Sequence, residues 1–307
     1  QVVELLARPE YDPSCPFCPG NEKPDDRELH LEDGADGWQV RVLENKFASV
    51  DRNLVLSASY DGLEQEMQGF GIHDVIIDTR RHNATIALLS QREAEALMHA
   101  YRSHYQRVAA ISGIEHVVLF KNQGFKAGGS LRHPHSQVYG LPVTPFENQV
   151  RQACAQEYYD KSRSNLLGDI MKQELESGER IVYENEDFVS WVPYAALSPY
   201  HLWIAPKRQT SSFGNSSNQE LASLADMMRN TFHKSFYALR NMDFNYVFQS
   251  ETHADEENPA NRWYISVIHH KKRRGGIEFA GGLFVNPMMP EVAAAQLREV
   301  KSRPGEG

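Results

Sequence analysis

Residues 116–139 read HVVLFKNQGFKAGGSLRHPHSQVY. His116-Val117-Val118-Leu119-Phe120 has the length and composition of a buried strand. Ser136-Gln137-Val138-Tyr139 reads as the strand that follows it. Between them lies a turn carrying Gly124, Gly128 and Gly129. Gly128-Gly129-Ser130 lets backbone come close to a ligand and offers N–H groups to an anion. His133 and His135 stand at i and i+2 on an extended segment, so their imidazoles point to one side. Pro134 fixes its own φ and restricts His133, which stiffens the pair. Two imidazoles so placed can share a site, or one can bind a metal while the other reacts. Alone, the pattern is also a common surface feature of strands.

Outward from this unit the chain alternates. Before it lie strands at Trp38–Leu43 and His73–Asp78, then a helix over about 90–110, opened by the capping box Ser90…Glu93. Residues 1–37, rich in Pro, Gly and acidic residues, read as mostly loop. After it come a charged helical stretch at 147–180 and strands at Val189–Pro193 and His201–Pro206. A helix over about 219–239 and strands at Asn245–Phe248 and Trp263–Ile268 follow. The order strand, long helix, strand, loop, strand thus occurs twice. Trp263-Tyr264-Ile265 stands where the first copy has His133-Pro134-His135, so the first half is expected to carry the chemistry. The expected architecture is α+β with antiparallel sheet, divided into halves at 1–150 and 151–307.

Composition narrows the function. A formal charge of -9 over 307 residues disfavours general nucleic-acid binding. No apolar run is long enough to span a membrane, and the start has no signal-peptide pattern. The chain opens on Gln1 rather than Met, so natural residues before it are expected. Three cysteines, Cys15, Cys18 and Cys154, are no disulfide framework; they fit a reduced, cytoplasmic protein. Cys15-Pro16-Phe17-Cys18 in a Pro/Gly-rich loop is half of a zinc knuckle, with His82 and His133 as candidate further ligands. The alternative is a metal-free loop with two thiols.

These motifs, with Asn45-Lys46-Phe47, Asn122, Gly124, Ser130, Val192-Pro193-Tyr194-Ala195 and Ile204-Ala205-Pro206-Lys207, follow the order seen in one family. Over nearly its whole length the chain resembles galactose-1-phosphate uridylyltransferases and their ADP-glucose phosphorylase-like relatives, within the histidine-triad superfamily. The resemblance implies two histidine-triad-like halves, each an antiparallel half-barrel flanked by helices, and a homodimer. It implies structural zinc on Cys15, Cys18, His82 and His133. It makes His135 the nucleophile that accepts a nucleotidyl group and Gln137 the side chain that holds the phosphate. Asn122 and Ser130 become phosphate contacts and Asn45 a base- or ribose-side contact. The substrates implied are a nucleoside-diphosphate sugar and a sugar phosphate.

The chemistry agrees with that assignment. Neutral imidazole is a competent nucleophile and a tolerable leaving group, so one displacement at phosphorus becomes two easier ones. A departing sugar phosphate needs little protonation, its second pKa being about 6. Gln137, standing where the hydrolytic branch of the superfamily has a third histidine, gives a hydrogen bond without a proton.

Departures from the family concern the second half. The stretch where some uridylyltransferases carry a second metal's His-x-His is here Trp263–Ile268, and no second metal site is expected; His253, His269 and His270 lack that spacing. In Gly275–Pro287 an apolar residue near Leu283 replaces the hexose-contacting glutamate, a pattern closer to enzymes acting on ADP-glucose; Glu278 is a possible substitute carboxylate. Lys271-Lys272-Arg273-Arg274 is either a phosphate-binding run or a solvated turn. Cys154, His99, His104 and His116 read as structural or surface residues. Uridylyl exchange between UDP-glucose and a hexose 1-phosphate leads, with adenylyl transfer from ADP-glucose or a dinucleoside polyphosphate to phosphate as the alternative. A nucleotide-binding regulator without turnover, a zinc-stabilised interaction module and a hydrolase are the competing classes.

Overall fold

The computed structural model describes residues 7–34, 37–252, 258–270 and 275–302. Lys271-Lys272-Arg273-Arg274 and His253 lie outside the described residues. Five strands build the first half of the sheet: β1 (Glu28–Gly34), β2 (Gly37–Glu44), β5 (Ile72–Ile77), β6 (His116–Gln123) and β7 (His135–Leu141). An exposed hairpin, β3 (Ala58–Asp61) with β4 (Glu64–Met67), stands apart from them. The second half has β8 (Ile181–Glu184), β9 (Phe188–Trp191), β10 (Leu202–Pro206), β11 (Phe244–Gln249) and β12 (Tyr264–His269). All ten form one continuous antiparallel sheet in the order β1-β2-β5-β7-β6-β11-β12-β10-β9-β8.

Read outward from the central β6–β11 pair, the two halves have the same strand order. A pseudo-twofold axis therefore passes between β6 and β11. Each half sends one long helix across the same face of the sheet: α1 (Gln91–Ala109) from the first and α4 (Asn218–Ala238) from the second. Both start with a full capping box, Ser90 with Glu93 and Ser217 with Glu220, which satisfies N–H groups the helix cannot. Ala94, Leu97, Met98, Tyr101, Tyr105 and Val108 make the buried stripe of α1. The helices lie against each other, tied by Arg229 Nε to Leu89 O (2.9 Å) and Gln91 Nε2 to Ala222 O (3.0 Å).

The opposite face differs between the halves. In the second it is covered by α2 (Phe146–Ser162) and α3 (Leu166–Ser177), with Leu167, Ile170 and Met171 packing on Val189, Trp191 and Trp203. In the first half that face carries His135, Gln137 and Tyr139. The chain closes with α5 (Gly276–Gly281) and α6 (Pro290–Glu299).

Two expectations need correction. Residues 28–34 form β1, an edge strand against β2, although the 1–37 stretch reads as mostly loop; the charged alternation of Glu28, His30 and Glu32 hides an edge strand. The repeat alignment is also off by one residue. Ile76 pairs with Ser136 as Ile204 pairs with Ile265, and Leu119 with Val138 as Tyr246 with Val267, all toward the helices. Tyr264, not Ile265, is therefore the counterpart of His135, because a one-residue slip would turn the side chain to the other face.

Candidate active site and metal centre

His135 opens β7 and is buried. Its Nδ1–H donates to the carbonyl of His133 at 2.9 Å. That bond fixes the tautomer and leaves the Nε2 lone pair bare. Burial, then the Lys121 cation, hold its pKa below the usual histidine value against the opposing pull of the His133 carbonyl and Asp78, so the ring is neutral at pH 7. Beneath it, Lys121 Nζ donates to the His135 carbonyl (3.0 Å) and to Asp78 (2.5 Å). Asp78 also accepts from Ser136 Oγ (2.9 Å), which meets the Tyr101 hydroxyl, itself 2.6 Å from that of Tyr246. This buried network spans both halves and clamps the backbone of the strand that carries the imidazole. None of its hydroxyls, nor the Lys121–Asp78 pair, stands out in the sequence, because the partners are far apart along the chain.

Gln137 lies two residues on, on the same face. Its Oε1 is 2.8 Å from Nε2 of His73. The Ser49 backbone N–H donates to Nδ1 of His73 (3.2 Å), which puts the ring proton on Nε2. His73 therefore donates to Gln137 Oε1, and the Gln137 NH2 group is left to face a ligand. Asn45 Nδ2 is 2.9 Å from the same His73 nitrogen, yet cannot donate to a protonated one; its Oδ1 already accepts from the Phe47 N–H. Asn45 thus keeps amide hydrogens to give. His73 also stacks on Tyr139 (3.9 Å between centroids). It is the residue that sequence reading missed, taken only as the start of a strand, although it stands on β5 opposite Tyr139.

Asn122 and Ser130 sit on either side of the glycine turn. Asn122 Oδ1 accepts from Asn245 Nδ2 at 2.7 Å, so its own NH2 group is free to donate. Asn245 also holds the Ala127 carbonyl (2.8 Å), tying the turn to the second half. Gly124 has φ +90, and a Cβ there would stand 2.3 Å from the Asp243 carboxylate, which accepts from the Lys126 N–H. Gly129 would place a Cβ 2.9 Å from two carbonyl oxygens. Only glycine lets the turn close. Ser130 is exposed and lines a polar cavity of about 410 Å3 with Arg8 and Arg132. Gln137 and Asn45 thus meet at His73, on the strand face that carries His135, and Ser130 lines a separate polar cavity.

Cys15, Cys18, His82 and His133 are all buried, and their ligand atoms lie within 4.8 Å of one another. Three edges measure 3.5 Å (Cys18 Sγ to His133 Nδ1), 3.6 Å (Cys18 Sγ to His82 Nδ1) and 3.7 Å (Cys15 Sγ to His133 Nδ1). A tetrahedral ion with metal–sulfur arms of about 2.3 Å and metal–nitrogen arms of about 2.0 Å has edges of roughly 3.5 Å. His133 Nε2–H donates to the Thr79 carbonyl at 2.7 Å, which turns Nδ1 toward the thiols as an outer-sphere partner does. Burial pushes the Cys15 thiol up to about 11, and a cation among the thiols is what would restore thiolate. Two cysteines and two histidines close all four positions, so the group fits a structural ion. Phe17, inside the knuckle, packs edge-on against His135, with 5.6 Å between ring centroids. The knuckle and the reactive imidazole are one packed unit.

The remaining candidates fall outside it. His104 is buried and bonded to Asp74 (2.9 Å), His116 is buried, and Cys154 is exposed. Glu278 caps α5 by accepting from the Gly275 N–H (2.8 Å), and Leu283 is exposed. No helix among the described residues is long and apolar enough to cross a membrane.

A bare, neutral imidazole beside an oriented amide, on a duplicated antiparallel fold, places the protein among nucleotidyltransferases. Family models described as galactose-1-phosphate uridyl transferase, N-terminal domain and C-terminal domain, match residues 2–145 and 151–303. The chain belongs to the galactose-1-phosphate uridyl transferase family. An ADP-glucose phosphorylase from Arabidopsis thaliana is 30% identical over 94% of this chain and 82% of its own length. A galactose-1-phosphate uridylyltransferase from Thermotoga maritima is 25% identical over 94% of this chain and 89% of its own. The crystal structure of an Arabidopsis thaliana ADP-glucose phosphorylase with bound ADP-glucose superposes with a TM-score of 0.83 at 28% identity, covering 96% of this chain and 93% of that one.

Proposed function

We propose that the protein transfers a nucleoside monophosphate from a nucleoside-diphosphate hexose to a second phosphate-bearing acceptor, by double displacement through His135. The observation that carries this reading is the Nδ1–H bond of His135 to the His133 carbonyl, which leaves a neutral Nε2 free. In the first step Nε2 attacks the α-phosphorus; the bond from that phosphorus to the bridging oxygen breaks, and hexose 1-phosphate leaves with the electron pair. In the second, a phosphate oxygen of the acceptor attacks the same phosphorus and the N–P bond returns its pair to Nε2. The Gln137 amide, oriented by His73, donates to the phosphoryl oxygens in both steps. Asn122 and Ser130 contact phosphate, and Asn45 contacts the base or ribose. Zinc on Cys15, Cys18, His82 and His133 would clamp the strand next to the nucleophile. Residues 1–150 form the catalytic half and 151–307 the half that shapes the substrate site, and the working molecule is a homodimer.

Two acceptor versions remain within this mechanism. Hexose 1-phosphate as acceptor gives the uridylyl exchange for which the family is named. Inorganic phosphate as acceptor, with ADP-glucose as donor, is favoured by the Arabidopsis relative and by Glu278 and Leu283. The first is spent on a helix cap and the second is apolar, so neither offers a carboxylate to hexose hydroxyls. Incubation with UDP-glucose and ADP-glucose, each labelled in the nucleotide, separates the versions by which label is kept as an acid-labile adduct. Label retained by His135→Ala, or by neither donor on the wild type, overturns the mechanism.

A further inference from the structure

The pseudo-twofold axis has a second consequence. It carries the catalytic end of the first half onto the end of the second where β11 finishes and β12 begins. By the register already described, His133, His135 and Asn122 map onto Arg262, Tyr264 and Gln249. Those three residues line a half-open cavity of about 260 Å3 between this end of the sheet and helices α2 and α3. The chemistry of this end has changed: its lining holds no histidine and no glycine turn, and its one cysteine, Cys154, is exposed on α2.

Its walls are of two kinds. Trp203 and Tyr264, with centroids 4.9 Å apart, form an aromatic floor, and Leu167, Ile170 and Val150 close it from the helices. Two cations meet this apolar space. Arg262 gives Nη1 to the carbonyls of Pro206, Lys207 and Arg208 at 2.6–2.9 Å, while its Nε is buried without a hydrogen-bond partner. No ion pair compensates it among the described residues, Glu251 in the same lining accepting from Asn261 instead, and burial pushes it down to about 10. Arg151, on the exposed side of α2, reaches the electrostatic range of Tyr264 and has no ion pair among the described residues. A half-buried guanidinium with a buried N–H left unpaired, at the edge of an aromatic cavity, is costly unless an acceptor completes it.

We propose that this cavity is a second ligand site, separate from His135, for a small organic anion with a planar ring. The ring lies on Trp203 and Tyr264; the anionic group meets Arg151 and Arg262. The same chemistry is offered by a nucleoside monophosphate and by an aryl carboxylate. The first is the ligand its symmetry mate takes, and to that extent the choice of ligand rests on the function proposed above. Its lining has no counterpart of the His133–His135 pair, so its occupancy is regulatory or structural rather than catalytic.

Binding of AMP, UMP and naphthalene-2-carboxylate to the full chain, followed by calorimetry, tests this. At least one probe should occupy a site that Ile170→Trp, which fills the cavity, abolishes. Arg151→Gln, an exposed change that spares the fold, should weaken the same site about tenfold, the worth of one charge-assisted hydrogen bond. The arm that binds names the ligand source. Binding of none of the three, binding indifferent to both variants, or equal competition by inorganic phosphate overturns the proposal. Covalent labelling of His135 is read separately, so failure of the proposed transfer reaction and failure of this site cannot be confused.

Discussion

Two ends of one sheet, related by a pseudo-twofold axis, have been built from the same strands to opposite purposes. In the first half β7 begins with His135 over a polar network of Lys121, Asp78 and Ser136. In the second, β12 begins with Tyr264, and the positions matching Lys121 and Ser136 are Phe248 and Ile265, both buried. In the first half the knuckle packs over the His135 end of the outer face, whereas α3 covers that face in the second. A duplicated scaffold needs its paired core in both halves but its reactive groups in only one. The polar network, expensive to bury, is kept where it holds the backbone of the strand that carries His135, the nucleophile proposed above.

The comparison can be broken most sharply at its two matched residues. His135→Ala should lower nucleotidyl transfer by at least ~10^3-fold and abolish the adduct, as removal of a covalent nucleophile does. Tyr264→Phe, at the related position, should leave the rate within about twofold. Equal losses in the two variants, measured as steady-state transfer, would end the division of labour.

The metal centre belongs to the first half alone among the described residues. Cys18→Ser, or treatment with a strong chelator, should cost ~4 kcal/mol or more of stability, the scale of losing a structural ion. The transfer rate should fall with it, since Phe17 links the knuckle to His135. Metal content and thermal melting together check both effects. The polar network should come next. Lys121→Met leaves Asp78 as an unpaired buried charge, for about 3–5 kcal/mol, whereas Phe248→Leu at the matching position should cost only about 1 kcal/mol. Urea titration of the two variants measures the contrast.

His73 allows a subtler test. His73→Phe removes the donor that fixes Gln137, and the amide can then turn its oxygen toward the phosphate. A fall of about tenfold in kcat, with the stability and nucleotide affinity little changed, follows from the loss of one oriented hydrogen bond. A change confined to KM would make His73 a binding group instead.

Stability against pH should show the smallest effect, and both halves share it. Burial lowers His116 to about 4 in the first half, and His201 to about 3 and His269 to about 4 in the second. The unfolded chain takes up these protons near pH 6.5, the folded chain only some units lower. Between those values the unfolded state binds more protons, so stability is full above about pH 6.5 and declines as the pH falls toward 4 and 3. A melting temperature flat from pH 5 to 7 would contradict the buried, neutral state of these rings.

How far the sequence could be read depended on how local each signal was. The capping boxes Ser90…Glu93 and Ser217…Glu220 act within one helical turn and mark both long helices. The knuckle and His133-Pro134-His135 are short motifs whose chemistry requires their own spacing, and the structure brings Cys15, Cys18, His82 and His133 together. Edge strand β1 was hidden by the charges that keep edges soluble. The one-residue error in matching the halves arose because similar apolar runs align equally well in two registers. Only cross-strand pairing tells the faces apart.

What the sequence determined by itself, then, was the repeat, the α+β class and the Cys-x-x-Cys and His-Pro-His motifs, because each rests on local pattern and spacing. The tertiary structure decided what those neighbours lean on. It set His73 to aim Gln137, Lys121 to hold the His135 backbone, Asn245 to fix Asn122 from the other half, and Tyr264 opposite a cavity rather than a nucleophile. These partners are separated by 14 to 123 residues. Nothing in local chain chemistry pairs them; the packing of ten strands into one sheet does.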